Sequence, residues 1–316
     1  MKILLTGATG FIGQALMRVL VQEAHQVIAV ARSKGRIEDW GSTGVEIYIE
    51  PDINARTDWR LPLMQADVVI HCAALAHGKP GDIRSTNVEG TLNLARQAAD
   101  AGVSRFIFIS SIGVNGRSNS RPFTESDPPR PEEPYAQSKW DAEQGLWEVQ
   151  QETGLEIVII RPPLVYGPQA PGNFGTLVRL VEKGIPLPLG SIRNKRTLLA
   201  LDNLVDLIRV CADHPAAANQ VFLAGDGSDL STTELLRGVA NALGRPSRLI
   251  PVSPSLLRLG ARIVGKKAIA EQLLGSLQVD ISKTRNILDW TPVISVEQAL
   301  ARAVPKRIGL SAERKT

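Results

Sequence analysis

Tyr135 and Lys139 stand four residues apart in Tyr135-Ala136-Gln137-Ser138-Lys139, a spacing that can move a proton. Side chains at i and i+4 share one face of a helix. A free tyrosine titrates at about 10, so a phenolate working near neutral pH needs ~4 kcal/mol of help from positive charge nearby. A lysine ammonium and a positively charged cofactor ring, both close and partly desolvated, supply charge of that sign. Ser110-Ser111 close an apolar run, where a hydroxyl can hold a substrate oxygen beside the tyrosine. Asn87 lies in a helical stretch facing the same strand ends and can order a water. Tyrosine and lysine at this spacing recur by chance in many chains. The order gives the match its weight: a glycine-rich turn, then the serines, then the pair opening a helix.

The glycine-rich turn is Thr6-Gly7-Ala8-Thr9-Gly10-Phe11-Ile12-Gly13, between the first apolar run and the first helical stretch. Glycines at this spacing let the turn close, let the backbone approach a pyrophosphate and let the helix pack on the strand. The helix start then offers unpaired N–H groups to the anion. A dinucleotide site follows, built on Gly7, Thr9, Gly10, Phe11, Ile12 and Gly13. An acid for the adenosine ribose is expected about 20 residues further on. That place reads Val30-Ala31-Arg32-Ser33. Arg32 can pair with a 2′-phosphate that an acid would repel, which favours NADP(H). NAD(H) stays possible if Arg32 only stacks on adenine. Asp52-Ile53 are placed to contact the adenine, and the small Ala73-Ala74 leave room for ribose and diphosphate.

Several elements must hold these residues in place. Apolar runs at 2–5, 26–31, 45–49, 67–71, 105–109 and 156–160 alternate with helical periodicity at 13–22, 91–101 and 136–151. Continuous apolar strands between helices predict a parallel sheet covered on both faces. Right-handed crossovers make it an α/β, doubly wound Rossmann sheet. Beyond Pro162 proline and glycine become frequent and the alternation blurs. This predicts a smaller mixed α/β substrate lobe from 168–195 plus about 228–316. Residues 1–167 plus about 196–227 then form the dinucleotide-binding domain, with 196–227 returning to the sheet. Residues 311–316 read as a frayed tail.

The bulk figures exclude several classes of function. The chain has 316 residues, 43% hydrophobic and 22% charged, with a net charge of +4. That excess is scattered and not interleaved with aromatics, so nucleic acid is not an expected partner. No metal is expected, since the four histidines and two cysteines lack ligand spacing. Cys72 and Cys211 sit in apolar runs and read as buried free thiols. No apolar run reaches the roughly 18 residues of a membrane span, and the start lacks a signal-peptide pattern. The cytoplasm is the expected compartment. The apolar stretch 256–263 fits core or lobe packing better than contact with a membrane.

These pieces together resemble the extended short-chain dehydrogenase/reductases of the nucleotide-sugar epimerase/dehydratase family. The resemblance rests on Thr6–Gly13, Asp67–Ala74, Asn87-Val88-Glu89-Gly90-Thr91, Phe106–Ser111 and Tyr135–Lys139. It continues through Arg161-Pro162-Pro163-Leu164-Val165-Tyr166-Gly167-Pro168 and Asp280…Lys283…Leu288-Asp289-Trp290-Thr291-Pro292. It implies hydride exchange at a sugar carbon, usually C4, with Tyr135 moving the hydroxyl proton and Ser111, not Ser110, holding the oxygen. It implies cofactor contacts from Tyr135, Lys139 and Pro162, and substrate contacts from Ser111, Tyr135, Asn173 and Arg196. Arg196 corresponds to the arginine that pairs with a substrate diphosphate. It further implies a homodimer through the helices at 89–101 and around Tyr135.

Departures from the family pattern narrow the reaction. Ile112-Gly113 stand where the family's 4,6-dehydratases carry an Asp-Glu pair, so dehydration is excluded. Asn115 replaces a common tyrosine, and Leu164 an asparagine that touches the sugar or diphosphate. The second diphosphate arginine before Asp280 is missing, with Ser276 or Gln278 as possible stand-ins. Net reduction of an NDP-4-keto-6-deoxy sugar, UDP-linked and N-acetylated, in surface polysaccharide synthesis is the reading that Arg32 and Leu164 favour. The alternative is a nucleotide-sugar 4-epimerase. A non-catalytic redox sensor is the remote third, disfavoured by the intact Ser111, Tyr135 and Lys139.

Overall fold

The computed structural model describes residues 1–33 and 44–304; the tail expected at 311–316 lies outside the described residues. Among the described residues ten strands appear: β1 Lys2–Thr6, β2 Gln26–Ala31, β3 Val45–Ile49, β4 Val68–His71, β5 Arg105–Ile109, β6 Glu156–Arg161, β7 Leu164–Tyr166, β8 Arg196–Ala200, β9 Gln220–Leu223 and β10 Asp229–Leu230. The helices are α1 Phe11–Gln22, α2 Arg60–Leu63, α3 Pro80–Arg84, α4 Thr91–Asp100, α5 Pro134–Thr153, α6 Gly172–Glu182, α7 Leu201–Asp213, α8 Thr232–Ala242, α9 Pro254–Ile263, α10 Lys267–Leu274, α11 Ser282–Leu288 and α12 Val296–Ala303.

Seven strands form one sheet in the order β3-β2-β1-β4-β5-β6-β9. Every pairing in it is parallel. Parallel strands need crossovers, which carry helices onto both faces. The strands show this directly. On one face Ile3, Leu5, Ile107 and Ile109 pack with Leu16 and Leu20 of α1 and Leu204 and Ile208 of α7. On the other, Leu4, Phe106 and Phe108 pack with Leu94 and Ala98 of α4 and Ala142 and Leu146 of α5. Alternation within strands that are apolar throughout is what a sheet buried on both faces requires.

The return to the sheet is made by β9, which pairs with β6. The expectation that all of 196–227 would return needs correcting. Strand β8 instead pairs with β7 and β10 in a separate three-stranded sheet. The buried Asp226 ties this junction together, accepting from Tyr166 Oη (2.8 Å), the Ala200 N–H (2.8 Å) and Asn203 Nδ2 (2.8 Å). Its burial raises the Asp226 pKa. A second apolar core beneath it joins α6, α8 and α12. Among the described residues no helix is long and apolar enough to cross a membrane, and no cluster of His, Cys, Asp or Glu could hold a metal.

Candidate active site

The C-terminal ends of β1, β2, β3 and β4 open onto a cleft of about 500 Å³ lined by Gly7, Thr9, Gly10, Arg32, Asp52, Ile53, Ala73 and Ala74, among others. Eight residues named from the sequence for cofactor contact therefore converge. Two glycines are irreplaceable for steric reasons. Gly7 adopts φ +68°, and a Cβ there would stand 2.7 Å from Ala73 N. A Cβ on Gly13 would stand 2.2 Å from the Gly7 carbonyl oxygen, so α1 could not pack as it does. Helix α1 starts at Gly10 with no side-chain cap and no acid in its first turn, leaving its N–H groups for an anion. Phe11 instead packs between the two cores. Ile12 also packs on the first core, and both side chains stay half-buried.

The charge around Arg32 differs from the sequence expectation. Arg32 is exposed at the end of β2, and Glu50, Asp52 and Asp82 line the same cleft. Among the described residues lining the cleft, one guanidinium faces three carboxylates. A 2′-phosphate, carrying close to two negative charges, would enter a field that is already negative. Glu50 follows β3, not β2, so it lies well beyond the position where a ribose-binding acid is expected in the sequence.

Beneath the cleft runs a chain of buried hydrogen bonds. His71 Nδ1 lies 2.7 Å from Thr6 Oγ1, and its Nε2 lies 2.9 Å from Thr91 Oγ1. Thr91 donates to the Asn87 carbonyl (2.7 Å), while the Ala73 N–H donates to Thr6 Oγ1 (3.3 Å). One tautomer satisfies every partner: neutral His71 with its proton on Nε2. Burial, then the charge of Lys139, lowers the His71 pKa to about 3. The unfolded chain accepts this proton below about 6.5, whereas the native state refuses it until about pH 3. Unfolding therefore takes up a proton in that window, and stability falls as pH drops through it. Nitrogen NMR of the imidazole should show the neutral form persisting at pH 5; a protonated ring there would rule this chain out.

Asn87 belongs to the same scaffold. It is buried in a π-helical segment, Ser85–Gly90, a distortion that often marks functional sites. Its Oδ1 accepts from the Leu75 N–H (2.7 Å), and its Nδ2 donates to Leu75 O (3.0 Å) and Ser138 Oγ (2.9 Å). The side chain clamps the segment after β4 to α5. Both its donors are used in this clamp, which gives Asn87 a positioning role beside the water-ordering one expected from the sequence.

Strand β5 and helix α5 bring the proton-transfer residues together. Ser111 caps the short turn Ile112–Val114, accepting from the Gly113 N–H at 3.1 Å, and stays half-buried. Ser110 is buried and donates to Glu143, so the hydroxyl left for a substrate is that of Ser111. The buried carbonyl of Pro162 accepts from the Ile112 N–H (3.0 Å) and supports this turn from behind. Lys139 is 1% exposed, donates to the Ile109 carbonyl at 2.8 Å, and sits 4.4 Å above the Phe108 ring and 5.8 Å from the Tyr135 ring centre.

Burial pushes Tyr135 up to about 12 and Lys139 down to about 8. From the sequence, Tyr135 is expected to be pulled down by its lysine together with the positive nicotinamide ring. Desolvation wins instead, since the ammonium is directed at a carbonyl and not at the phenol. The protein alone therefore keeps Tyr135 protonated, and further positive charge at the site is needed to activate it.

A group unanticipated from the sequence lies behind this pair. Glu143, one turn after Lys139 on α5, is fully buried and binds Arg161 at the end of β6 through Nε (3.0 Å) and Nη2 (2.5 Å). Arg161 Nη1 reaches Asn115 Oδ1 at 3.0 Å. The i+4 spacing from Lys139 was the available signal. Its partner lies 18 residues away on a strand and is found only by folding.

Comparison with known proteins converges on this architecture. Residues 3–225 match the model of the NAD dependent epimerase/dehydratase family. The chain belongs to that family. A Vibrio cholerae protein described as UDP-glucose 4-epimerase is 46% identical over 307 residues, covering 94% of this chain and 92% of its own. The structure of a Bacillus cereus UDP-glucuronic acid 4-epimerase in complex with NAD superposes with a TM-score of 0.79 at 24% identity, covering 96% of this chain and 97% of its own. A Thermotoga maritima UDP-glucose 4-epimerase with UDP-glucose gives a TM-score of 0.76 at 23% identity, covering 96% and 97%. Membership makes this an enzyme of an NAD-dependent family; the NADP(H) preference read from Arg32 finds no support.

At the substrate end of this family member the expected residues are less convergent. Arg196 is half-buried and donates through Nη1 to Gln272 O (2.7 Å) and Gly275 O (3.2 Å). Asn173 is exposed in the first turn of α6. Phe174, Leu187 and Leu189 are buried in the second core and serve packing. Ser276 and Gln278 are engaged within the protein, with Lys195 N and with Asp229. Asn115 is turned to Arg161 and Leu164 is apolar, so neither supplies the family's polar contact to a sugar.

Proposed function

We propose that this protein is an NAD-dependent nucleotide-sugar 4-epimerase acting on a UDP-linked hexose. One observation carries the reading: Lys139, 5.8 Å from the Tyr135 ring centre, donates to the Ile109 carbonyl at the end of β5, two residues before Ser111. The V. cholerae relative, described as a UDP-glucose 4-epimerase, supports this choice of reaction. The NAD and UDP-glucose named for the two structural neighbours support the cofactor and substrate class.

The cradle left by Gly7 and Gly13, the uncapped start of α1 and the acids around Arg32 fit NAD better than NADP. Bound NAD would take a hydride from C4 and return it to the opposite face. Ser111 holds the C4 oxygen. Tyr135 takes the hydroxyl proton and gives it back. Lys139 holds its ammonium near that phenol, and Arg196 holds the diphosphate with the donors not used on α10. Asn173 stands in the same proposal as a contact to the nucleotide end. Ile112 and Gly113 provide no acid or base toward C5 and C6, so the ring is not dehydrated. A homodimer through α4 and α5, neighbours on one face of the sheet, belongs to the proposal.

Net 4-ketoreduction is the second reading, favoured by Leu164 and Asn115 where the family carries polar sugar contacts. The cofactor's fate separates the two. The purified protein should release NAD on denaturation and interconvert UDP-sugars at C4 without consuming added NADH or NADPH. Stoichiometric oxidation of added cofactor by a UDP-4-keto sugar, with no epimer formed, would overturn the epimerase in favour of the reductase.

A further inference from the structure

Helix α9 packs on the second core through one face only, where the sequence predicts a packing segment at 256–263. None of its residues is buried. Leu256, Leu259 and Ile263 are 62%, 56% and 78% exposed. At i, i+3 and i+7 they form one apolar stripe along the outer face. Leu257 and Ala261, on the inner face, make the contact with the second core. The helix is thus apolar both toward the protein and away from it, which packing alone does not demand. Gly265, at φ +69°, turns the chain back into α10, and the tip of this hairpin exposes Val264 at 65%.

The charges beside the stripe are of one sign. Arg258 and Arg262, one turn apart, run along its edge, and Lys266 and Lys267 occupy the exposed tip. Glu271 is the only acid between Pro254 and Gly275. Outward leucines and isoleucine edged by arginine and lysine are the composition of a helix lying in a bilayer interface. A second copy of the chain fits less well. A ten-residue helix covers about 15 by 10 Å, or roughly 150 Å², against about 800 Å² per partner in a stable protein interface. A bilayer needs no matching surface, and its phosphates complement the basic edge.

We propose that the α9–α10 hairpin docks this protein on anionic lipid bilayers. The stripe enters the headgroup region while Arg258, Arg262, Lys266 and Lys267 pair with lipid phosphates. Arg196 binds the carbonyls at the far end of α10, so the docked hairpin lies one short helix from the substrate end of the enzyme. The inference does not depend on which C4 reaction is catalysed.

Flotation with phosphatidylcholine vesicles, with and without about one-third phosphatidylglycerol, tests the proposal on the full chain. Wild-type protein should float with the anionic vesicles only, and less as salt is raised. Arg258→Gln/Arg262→Gln should weaken partitioning about 25-fold, the factor expected of two basic groups at an anionic surface. Leu259→Glu/Ile263→Glu should abolish it while UDP-sugar turnover, the check on folding, stays at the wild-type level. Wild-type protein that stays at the bottom of the gradient overturns the proposal, as does a Leu259→Glu/Ile263→Glu protein that floats equally well. Light scattering showing that this variant converts a dimer to a monomer would assign the surface to a second copy instead.

Discussion

Tyr135→Phe should lower turnover by about 10³-fold while leaving NAD content and the KM for the UDP-sugar close to wild type. The change removes one oxygen and keeps the ring, so the half-buried packing of α5 is retained. What is lost is the group that carries the C4 proton. Ser111 cannot replace it, because an aliphatic hydroxyl is a far weaker acid than a phenol and is not ionised near neutral pH. The raised Tyr135 pKa gives a second readout. If bound NAD lowers it, absorbance titration should show a tyrosinate in the loaded wild type that is absent from Tyr135→Phe. A variant that still turns over within ten-fold of wild type would remove Tyr135 from the mechanism. A wild type with no turnover on any UDP-sugar, and a phenotype that survives the substitution, would leave the redox-sensor reading.

The second large effect is on stability. Glu143→Ala should cost ~3–5 kcal/mol, the range for breaking a buried ion pair from one side. The loss is large because Glu143 is fully buried and accepts from Arg161 and Ser110 together. Removing it leaves the Arg161 guanidinium, 4% exposed, without its counter-charge. In a chain of this size the Tm should fall by about 10 °C. Glu143→Met/Arg161→Met should recover much of the loss, because removing both charges leaves neither uncompensated. Chemical denaturation of the three proteins measures this, and a single-variant loss under about 1 kcal/mol would show that water reaches the pair.

Locally encoded properties were legible before folding. The parallel sheet could be read because strands buried on both faces have apolar residues at successive positions, as in Phe106–Ile109. The glycine turn could be read because only glycine tolerates the φ of Gly7 and the contact beneath Gly13. Tyr135 and Lys139 could be paired because one helical turn relates them. The expectation of no dehydration came from the resemblance, which places Ile112 and Gly113 where the family's 4,6-dehydratases carry an Asp-Glu pair.

Properties set by long-range neighbours were not legible. Arg32 looked like a phosphate receptor until β3 brought Glu50 beside it from the next strand of the sheet. The clamp Asn87 makes on Leu75 and Ser138 could not be read, because its partners lie 12 and 51 residues away. The helix containing Leu256 looked like core because apolar composition is the same whichever way a side chain points. Periodicity in a sequence gives the faces of an element, and tertiary packing decides which face meets protein and which meets solvent. The proton-transfer pair shows both halves. Helix geometry alone put Lys139 on the face of Tyr135, but the Ile109 carbonyl and the depth of burial decided that the tyrosine stays protonated until further positive charge arrives.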